Sequence, residues 1–114
     1  MVTLNARPEP LAIDLKRTAL VVVDMQNAFA SKGGMFDLAG FDISGAAPAI
    51  ETNKRLLDAV RKAGLAVIHL QMTFKPDLSD AGGVNSPAYH KELALRMMRA
   101  QPDLKLLIEN TWDW

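Results

Sequence analysis

The stretch Thr18-Ala-Leu-Val-Val-Val-Asp24-Met-Gln-Asn27 decides the fold of this chain. Residues 19–23 form a continuous apolar run, rich in β-branched side chains and without polar alternation. That pattern is typical of a strand buried on both faces of a parallel sheet. The run ends on the carboxylate of Asp24, and open α/β sheets bind ligands at the carboxyl ends of their strands. Because an acid at the edge of an apolar core is costly unless it is paired, Asp24 is a candidate for chemistry.

A helical pattern and a second apolar run follow this first strand. Between Ser44 and Gly64 the apolar residues recur on one stripe and the charged residues lie opposite, which predicts an amphipathic helix that Gly64 ends. Residues 65–71, Leu-Ala-Val-Ile-His-Leu-Gln, read as a second buried strand. A strand, a helix and a strand form the right-handed βαβ unit, so the strands should be parallel, with Asp24 and Gln71 at the same edge.

The remaining segments are less regular. Residues 1–17 carry Pro8 and Pro10, which favour an extended N-terminal arm, and residues 18–114 then belong to a single domain. Two long loops, one after Asn27 and one over residues 72–90, are typical of segments that cover a site. A second helix is predicted from about residue 89 to 101, with a short strand at 104–108.

Composition excludes several classes of protein. The 114 residues suffice for one domain. The 13 basic and 13 acidic residues leave no net positive charge that would favour binding to nucleic acid or to an anionic membrane. No apolar run approaches the roughly 20 residues of a transmembrane helix, and no signal-peptide core is present, so we expect a cytoplasmic protein. The chain contains no cysteine, which excludes disulfides and a thiol nucleophile within it.

The number of predicted elements is small for this type of sheet. Two strands of the buried type need neighbours at their edges and helices on both faces, but only two strands and two helices are strongly indicated. We therefore expect that further strands come from a longer chain or from a partner.

Asp24 has alternative interpretations on sequence alone. It either takes part in chemistry or caps the turn that follows, and the amides of Gln26 and Asn27 either orient it or satisfy loop backbone. An aspartyl phosphoacceptor or a Mg²⁺ site would also use an acid after the first strand, although a second acid is not adjacent. The pairs Gly33-Gly34 and Gly82-Gly83 do not form a dinucleotide-binding fingerprint.

Longer strings of sequence carry a family resemblance. The string from Ala19 to Asn27, followed by Gly33-Gly34, resembles the opening of the isochorismatase-like cysteine hydrolases. Five further strings look like the ureidoacrylate amidohydrolase branch, which belongs to a pyrimidine-degradation pathway. They are Phe36-Asp-Leu-Ala-Gly-Phe-Asp-Ile-Ser44, Ala81-Gly-Gly83, Ser86-Pro87, His90-Lys91 and Thr111-Trp-Asp113. The resemblance runs from about Thr3 to the last residue.

The resemblance implies a Rossmann-like three-layer α/β/α fold with a parallel sheet, incomplete in this chain, and an Asp–Lys–Cys catalytic triad. Asp24 matches the Asp of that triad, which takes the proton of the cysteine thiol. The Lys and the Cys of the family lie beyond the matched residues, and neither Lys91 nor Lys105 matches the family's lysine. By this resemblance the chain is the N-terminal half of a homo-oligomeric hydrolase and is inactive without its C-terminal half.

The residues that follow the second strand determine whether we expect a metal site. Related nicotinamidases place an Asp and a His there as ligands, whereas this chain reads Gln71-Met-Thr-Phe-Lys-Pro76. We therefore expect no metal and no other cofactor. Phe29, Gln71 and Phe74 are the candidate substrate contacts, with the amide facing a ureido group and the rings shaping the pocket, although both rings also suit a core.

These considerations leave three hypotheses. The first is an amidohydrolase that acts on a small linear ureido or carbamoyl substrate. The second is a non-catalytic α/β binding or assembly module that lacks the nucleophile, as the absence of cysteine suggests. The third is an aspartyl phosphoacceptor that uses Asp24.

Overall fold

Four short strands form two separate sheets in this computed structural model, which describes residues 1–114. β1 (Val2–Leu4) pairs antiparallel with β2 (Leu11–Ile13). β3 (Ala19–Val23) pairs parallel with β4 (Ala66–Leu70), in the two segments where the sequence predicts strands. The helices are α1 (Asn27–Ala30), α2 (Met35–Leu38), α3 (Ala46–Lys62), α4 (Pro87–Lys91) and α5 (Leu93–Ala100). The fold is therefore mixed α/β, as predicted.

The chain divides into two units. The first contains residues 1–23 and 48–70, and the second contains residues 24–47 and 71–114. The division into an arm, residues 1–17, and a single domain, residues 18–114, stays a prediction. No helix combines the length and the apolar character that crossing a membrane requires.

The first seventeen residues contain more structure than the extended arm that the sequence predicts. They include β1, β2 and a 3₁₀ turn at Leu15–Arg17, where the carboxylate of Asp14 accepts the N–H of Lys16 at 3.0 Å. Pro8 and Pro10 lie in the connection between the two strands, where a missing N–H removes no ladder bond. The prolines therefore lie in the turn and leave the strand pairing intact.

The helix between the parallel strands begins and ends close to where the sequence predicts. α3 ends two residues before Gly64, which has φ +76°. The N–H of Gly64 bonds the carbonyl of Arg61 at 3.1 Å, and the N–H of Leu65 bonds that of Val60 at 3.0 Å. A left-handed glycine with these bonds satisfies the last helical carbonyls and directs the chain into β4.

The two parallel strands are more exposed than their sequences predict. Val22 is the only buried residue of β3, and β4 has none. Val23 is 58% exposed and Leu70 is 48% exposed. Burial of a strand on both faces requires elements packed on each face of the sheet, and a two-stranded sheet also leaves its two outer edges open. The prediction that both strands are buried on both faces is therefore wrong within this chain.

The hydrophobic core of the second unit is built largely from loops and short helices. Ten buried residues form it: Ala28, Met35, Phe74, Ala81, Ala94, Leu95, Met98, Leu106, Leu107 and Ile108. The predicted strand at 104–108 is reduced to one parallel bridge between Phe74 and Ile108. Its bonds run from the N–H of Phe74 to the carbonyl of Leu107 at 2.8 Å and from the N–H of Glu109 to the carbonyl of Phe74 at 3.0 Å.

The second predicted helix is divided. Glu92 has ψ 128°, which ends α4, and its carboxylate accepts the N–H of Leu95 at 2.9 Å, which caps α5. The single helix predicted over residues 89–101 is therefore wrong at this residue. Glu is not a favoured capping residue, so the sequence offers no clear signal for the break.

Candidate active site

Asp24 and Gln71 lie at the ends of two strands that finish together. Val23 and Leu70 are the last register partners of the parallel pair, so Asp24 and Gln71 are the next residue of each strand. The sequence predicts this shared edge, and the register confirms it. It is also the edge at which open parallel sheets bind their ligands.

The backbone of Asp24 adopts an uncommon conformation. Its φ is +54°, in the left-handed region that is costly for most residues and that Asp and Asn tolerate best. The Asp24 carbonyl accepts the N–H of Gln26 at 2.9 Å, which closes a tight turn directly after the strand. Backbone strain of this kind is concentrated at functional sites.

The carboxylate of Asp24 does not cap this turn. Three other aspartates do act as local caps, because Asp14, Asp42 and Asp77 each accept the N–H two residues further along at 2.9–3.0 Å. In the turn after β3 the bonded oxygen is the backbone carbonyl of Asp24, so its half-buried carboxylate keeps both oxygens for other partners. The geometry therefore disfavours the capping interpretation, and the chemical role of Asp24 stays a prediction.

The amide of Gln26 joins the segments that follow the two strands. It is 4% exposed, donates Nε2 to the carbonyl of Met72 at 2.8 Å and accepts the Met72 N–H on Oε1 at 2.8 Å. The side chain thus pairs with Met72 as a neighbouring strand's backbone would. Gln26 therefore satisfies loop backbone, and it fixes the residue after Gln71 against the turn of Asp24.

Asn27 is also occupied by loop backbone. Its Nδ2 donates to the carbonyl of Trp112 at 2.8 Å, and its Oδ1 accepts the hydroxyl of Ser31 at 2.7 Å. Of the two interpretations of these amides, the structure favours the one in which they satisfy the loop rather than orient Asp24.

Asp113 is a buried anchor that the sequence analysis did not identify. It is 5% exposed, its Oδ1 accepts the N–H of Met35 at 3.1 Å and its Oδ2 accepts the N–H of Leu107 at 2.8 Å. Its backbone carbonyl accepts the N–H of Ala28 at 2.9 Å. Hydrogen bonds to a buried carboxylate are stronger than neutral ones, so the side chain of Asp113 fixes the start of α2 beside Leu107, and its backbone carbonyl adds a bond to α1. The sequence signal available for it was the position of this acid between Trp112 and Trp114.

The three predicted substrate contacts have different surroundings. Phe74 is 5% exposed and belongs to the core of the second unit. Phe29 packs edge-to-face on Phe36 with ring centroids 5.0 Å apart and lies against that core, partly buried. Gln71 is exposed. Of the three, Gln71 has the side chain that is most accessible to a ligand, and the assignment of all three to substrate stays a prediction.

Metal ligands are not grouped in the structure. No set of three or more His, Cys, Asp and Glu side chains is arranged to hold a metal ion. The expectation that catalysis needs no metal stays a prediction, to be tested by chelation during an activity assay.

A parallel strand pair joined by a helix, with a free acid where the first strand ends, defines an α/β protein of the type that binds ligands at its strand ends. The family model described as the Isochorismatase domain matches residues 18–112. The chain belongs to the isochorismatase family.

Individual relatives are similar over nearly the whole chain. It is 51% identical over 115 residues to the ureidoacrylate amidohydrolase RutB of Methylorubrum extorquens, covering 99% of this chain and 46% of that protein. It is 53% identical over 113 residues to the RutB of Yersinia enterocolitica, covering 97% and 49%. For the RutB of Agrobacterium fabrum the identity is 52% over 114 residues, covering 98% and 50%. The chain spans about half the length of these curated relatives.

Proposed function

We propose that this chain supplies the catalytic acid and part of the substrate site of an amidohydrolase that cleaves a small linear ureido or carbamoyl compound similar to ureidoacrylate. The observation that carries the proposal is the geometry of Asp24. A partly buried carboxylate ends a parallel strand in a strained left-handed turn and makes no capping bond. The similarity to proteins named ureidoacrylate amidohydrolase supports the substrate class.

The proposed role of Asp24 is that of general base. In an Asp–Lys–Cys triad it takes the proton of the cysteine thiol, and the thiolate attacks the carbonyl carbon of the ureido group. The amine leaves with a proton, and water then releases the acyl group from sulfur. This chain has no cysteine, so in this proposal the thiol and the lysine are supplied by polypeptide outside these 114 residues.

Gln71 has the proposed role of substrate contact. It follows β4 directly, at the edge where Asp24 follows β3, and its side chain is exposed. A carboxamide both donates and accepts hydrogen bonds, which matches the N–H and C=O groups of a ureido group. Phe74 and Phe29 act in this proposal through the shape of the adjoining loops. The proposal also includes that the enzyme assembles as a homo-oligomer and is located in the cytoplasm.

The test is Asp24→Asn in the complete gene product, assayed for hydrolysis of ureidoacrylate. Asn tolerates the left-handed turn as well as Asp does, so the fold should be unaffected. We expect turnover to fall about 10²-fold or more, which is typical for the loss of a positioned general base, with the melting temperature changed by no more than a few degrees.

The matched control is Asp58→Asn, an exposed aspartate of α3, which should leave turnover unchanged. Near-normal turnover of Asp24→Asn with a lowered melting temperature would assign Asp24 a structural role. A complete gene product that hydrolyses no ureido or carbamoyl compound would favour the non-catalytic module instead.

A further inference from the structure

The second unit contains a cleft that is separate from Asp24 and Gln71. Its volume is about 310 Å³, and neither of those two residues lines it. The cleft is formed by the loop after Phe74, by α4 and α5, and by the segment that follows α5. All of these belong to the second unit, so one folded body forms the whole cleft.

The floor of the cleft is apolar and well packed. Leu95, Met98 and Ile108 line it and are 4%, 9% and 4% exposed, and all three belong to the hydrophobic core. Leu78 and Leu104, which pack against that core, form part of the walls. A concave, mostly apolar surface of this volume lies at the lower end of the range for small-molecule sites.

The charged residues of the cleft have one sign. Arg99 and Lys105 line it, and no acidic side chain does. Arg99 is held in place, because its guanidinium carbon lies 4.1 Å from the centroid of the Tyr89 ring, in a cation–π contact. A guanidinium that is fixed in this way binds a carboxylate through two parallel hydrogen bonds, and a lysine nearby adds a second positive charge.

We propose that this cleft is a second binding site, which takes a small monocarboxylate with an apolar body. The apolar body occupies the floor formed by Leu95, Met98 and Ile108, and the carboxylate faces Arg99 and Lys105. The proposal does not depend on the amidohydrolase proposal, because none of these residues takes part in that chemistry and the binding can be measured without turnover.

The test is calorimetric titration of the protein with phenylacetate and, separately, with phenylacetamide. The two probes share the apolar ring and differ in charge. We expect phenylacetate to bind saturably to one site, and phenylacetamide to bind at least tenfold more weakly, since charge-assisted hydrogen bonds are about twice as strong as neutral ones.

Three variants locate the site. Arg99→Met and Lys105→Met should each weaken phenylacetate binding severalfold, and Lys105→Met does so without removing the contact between Arg99 and Tyr89. The matched control is Arg96→Met, an exposed arginine on the same helix that does not line the cleft, which should bind as the unchanged protein does. Absence of saturable binding, equal binding of the two probes, or equal weakening by Arg96→Met would each overturn the proposal.

Discussion

The parallel strands of the first unit and the loop-rich second unit differ in how the sequence relates to burial. β3 and β4 have largely apolar sequences, yet Val21, Val23, Ile68 and Leu70 are 47–58% exposed. The second unit has little regular structure and contains all ten residues of the hydrophobic core. A run of apolar residues therefore indicates the surface that a strand offers for burial, whereas burial itself depends on what packs against that surface.

The strongest test of this difference makes one substitution in both regions. Leu107 is 0% exposed in the second unit, and Leu70 is 48% exposed in β4. Leu107→Ala should lower the free energy of unfolding by about 2–5 kcal/mol, the range for a buried leucine that leaves a cavity. Leu70→Ala should cost less than about 1 kcal/mol, because little packing is lost.

Chemical denaturation of both variants measures the two values. Equal losses of stability would show that β4 is covered in solution, and the comparison between the two regions would then fail.

A second test compares two glutamines at the strand ends. Gln26 is buried and bonds both backbone groups of Met72, whereas Gln71 is exposed. Gln26→Leu leaves that N–H and that carbonyl without their partners, so stability should fall by about 2 kcal/mol. Gln71→Leu should change stability by no more than about 0.5 kcal/mol. Hydrogen exchange at the amide of Met72 provides the local measurement: it should accelerate in the first variant only.

A third test concerns the buried carboxylate. Asp113→Asn keeps the shape of the side chain but replaces one acceptor oxygen by a donor, which faces an N–H of Met35 or Leu107. We expect a loss of about 1–2 kcal/mol in the free energy of unfolding, as is typical for a buried group left unpaired. The exposed Asp103 provides the control, since Asp103→Asn should be neutral. An unchanged melting temperature in Asp113→Asn would contradict the anchoring role.

The smallest expected effect is a shift in the pKa of Asp77, an exposed acid in the loop after Phe74. Backbone and side-chain hydrogen bonds from Ser79 lower the pKa of Asp77 below its ordinary value of 3.8. Because the pKa is lowered in the folded state, the ionised carboxylate stabilises the loop at pH values above its ordinary pKa. This contribution is lost as the pH falls through the pKa of the folded state. NMR titration of Asp77 measures the shift directly. Ser79→Gly removes the hydroxyl bond and should move the pKa part of the way back, and an unmoved pKa would mean that the backbone bond acts alone.

The regular elements of the first unit could be predicted from sequence because their signals are local. The apolar runs, the amphipathic stripe and Gly64 fall within short windows, and they place β3, α3 and β4 correctly. The second unit gives fewer such signals, and the one helix predicted there, over residues 89–101, is divided at Glu92. Its core joins Met35 and Leu107 through Asp113, and neither periodicity nor propensity describes contacts between residues so far apart in sequence.

Prediction of the candidate site from sequence has the same limit, because only its strand-based part has a local signal. The position of Asp24 and Gln71 follows from the parallel arrangement of their strands and was predicted. The left-handed turn of Asp24 and the pairing of Gln26 with Met72 depend on side-chain geometry that residue types alone do not specify. The cleft beside Arg99 was not predicted either, because it depends on how irregular loops pack against α4 and α5, which residue types alone do not specify.

The bond between Asp113 and Met35 sets a delay during synthesis of the protein. The two residues are 78 positions apart, so the N–H of Met35 has no native partner until the ribosome has added Asp113. At about 5–20 residues per second the interval is roughly 4–16 s, far longer than helices and hairpins need to form. The start of α2 therefore gains this side-chain bond only after Asp113 has been synthesised, in every newly made copy.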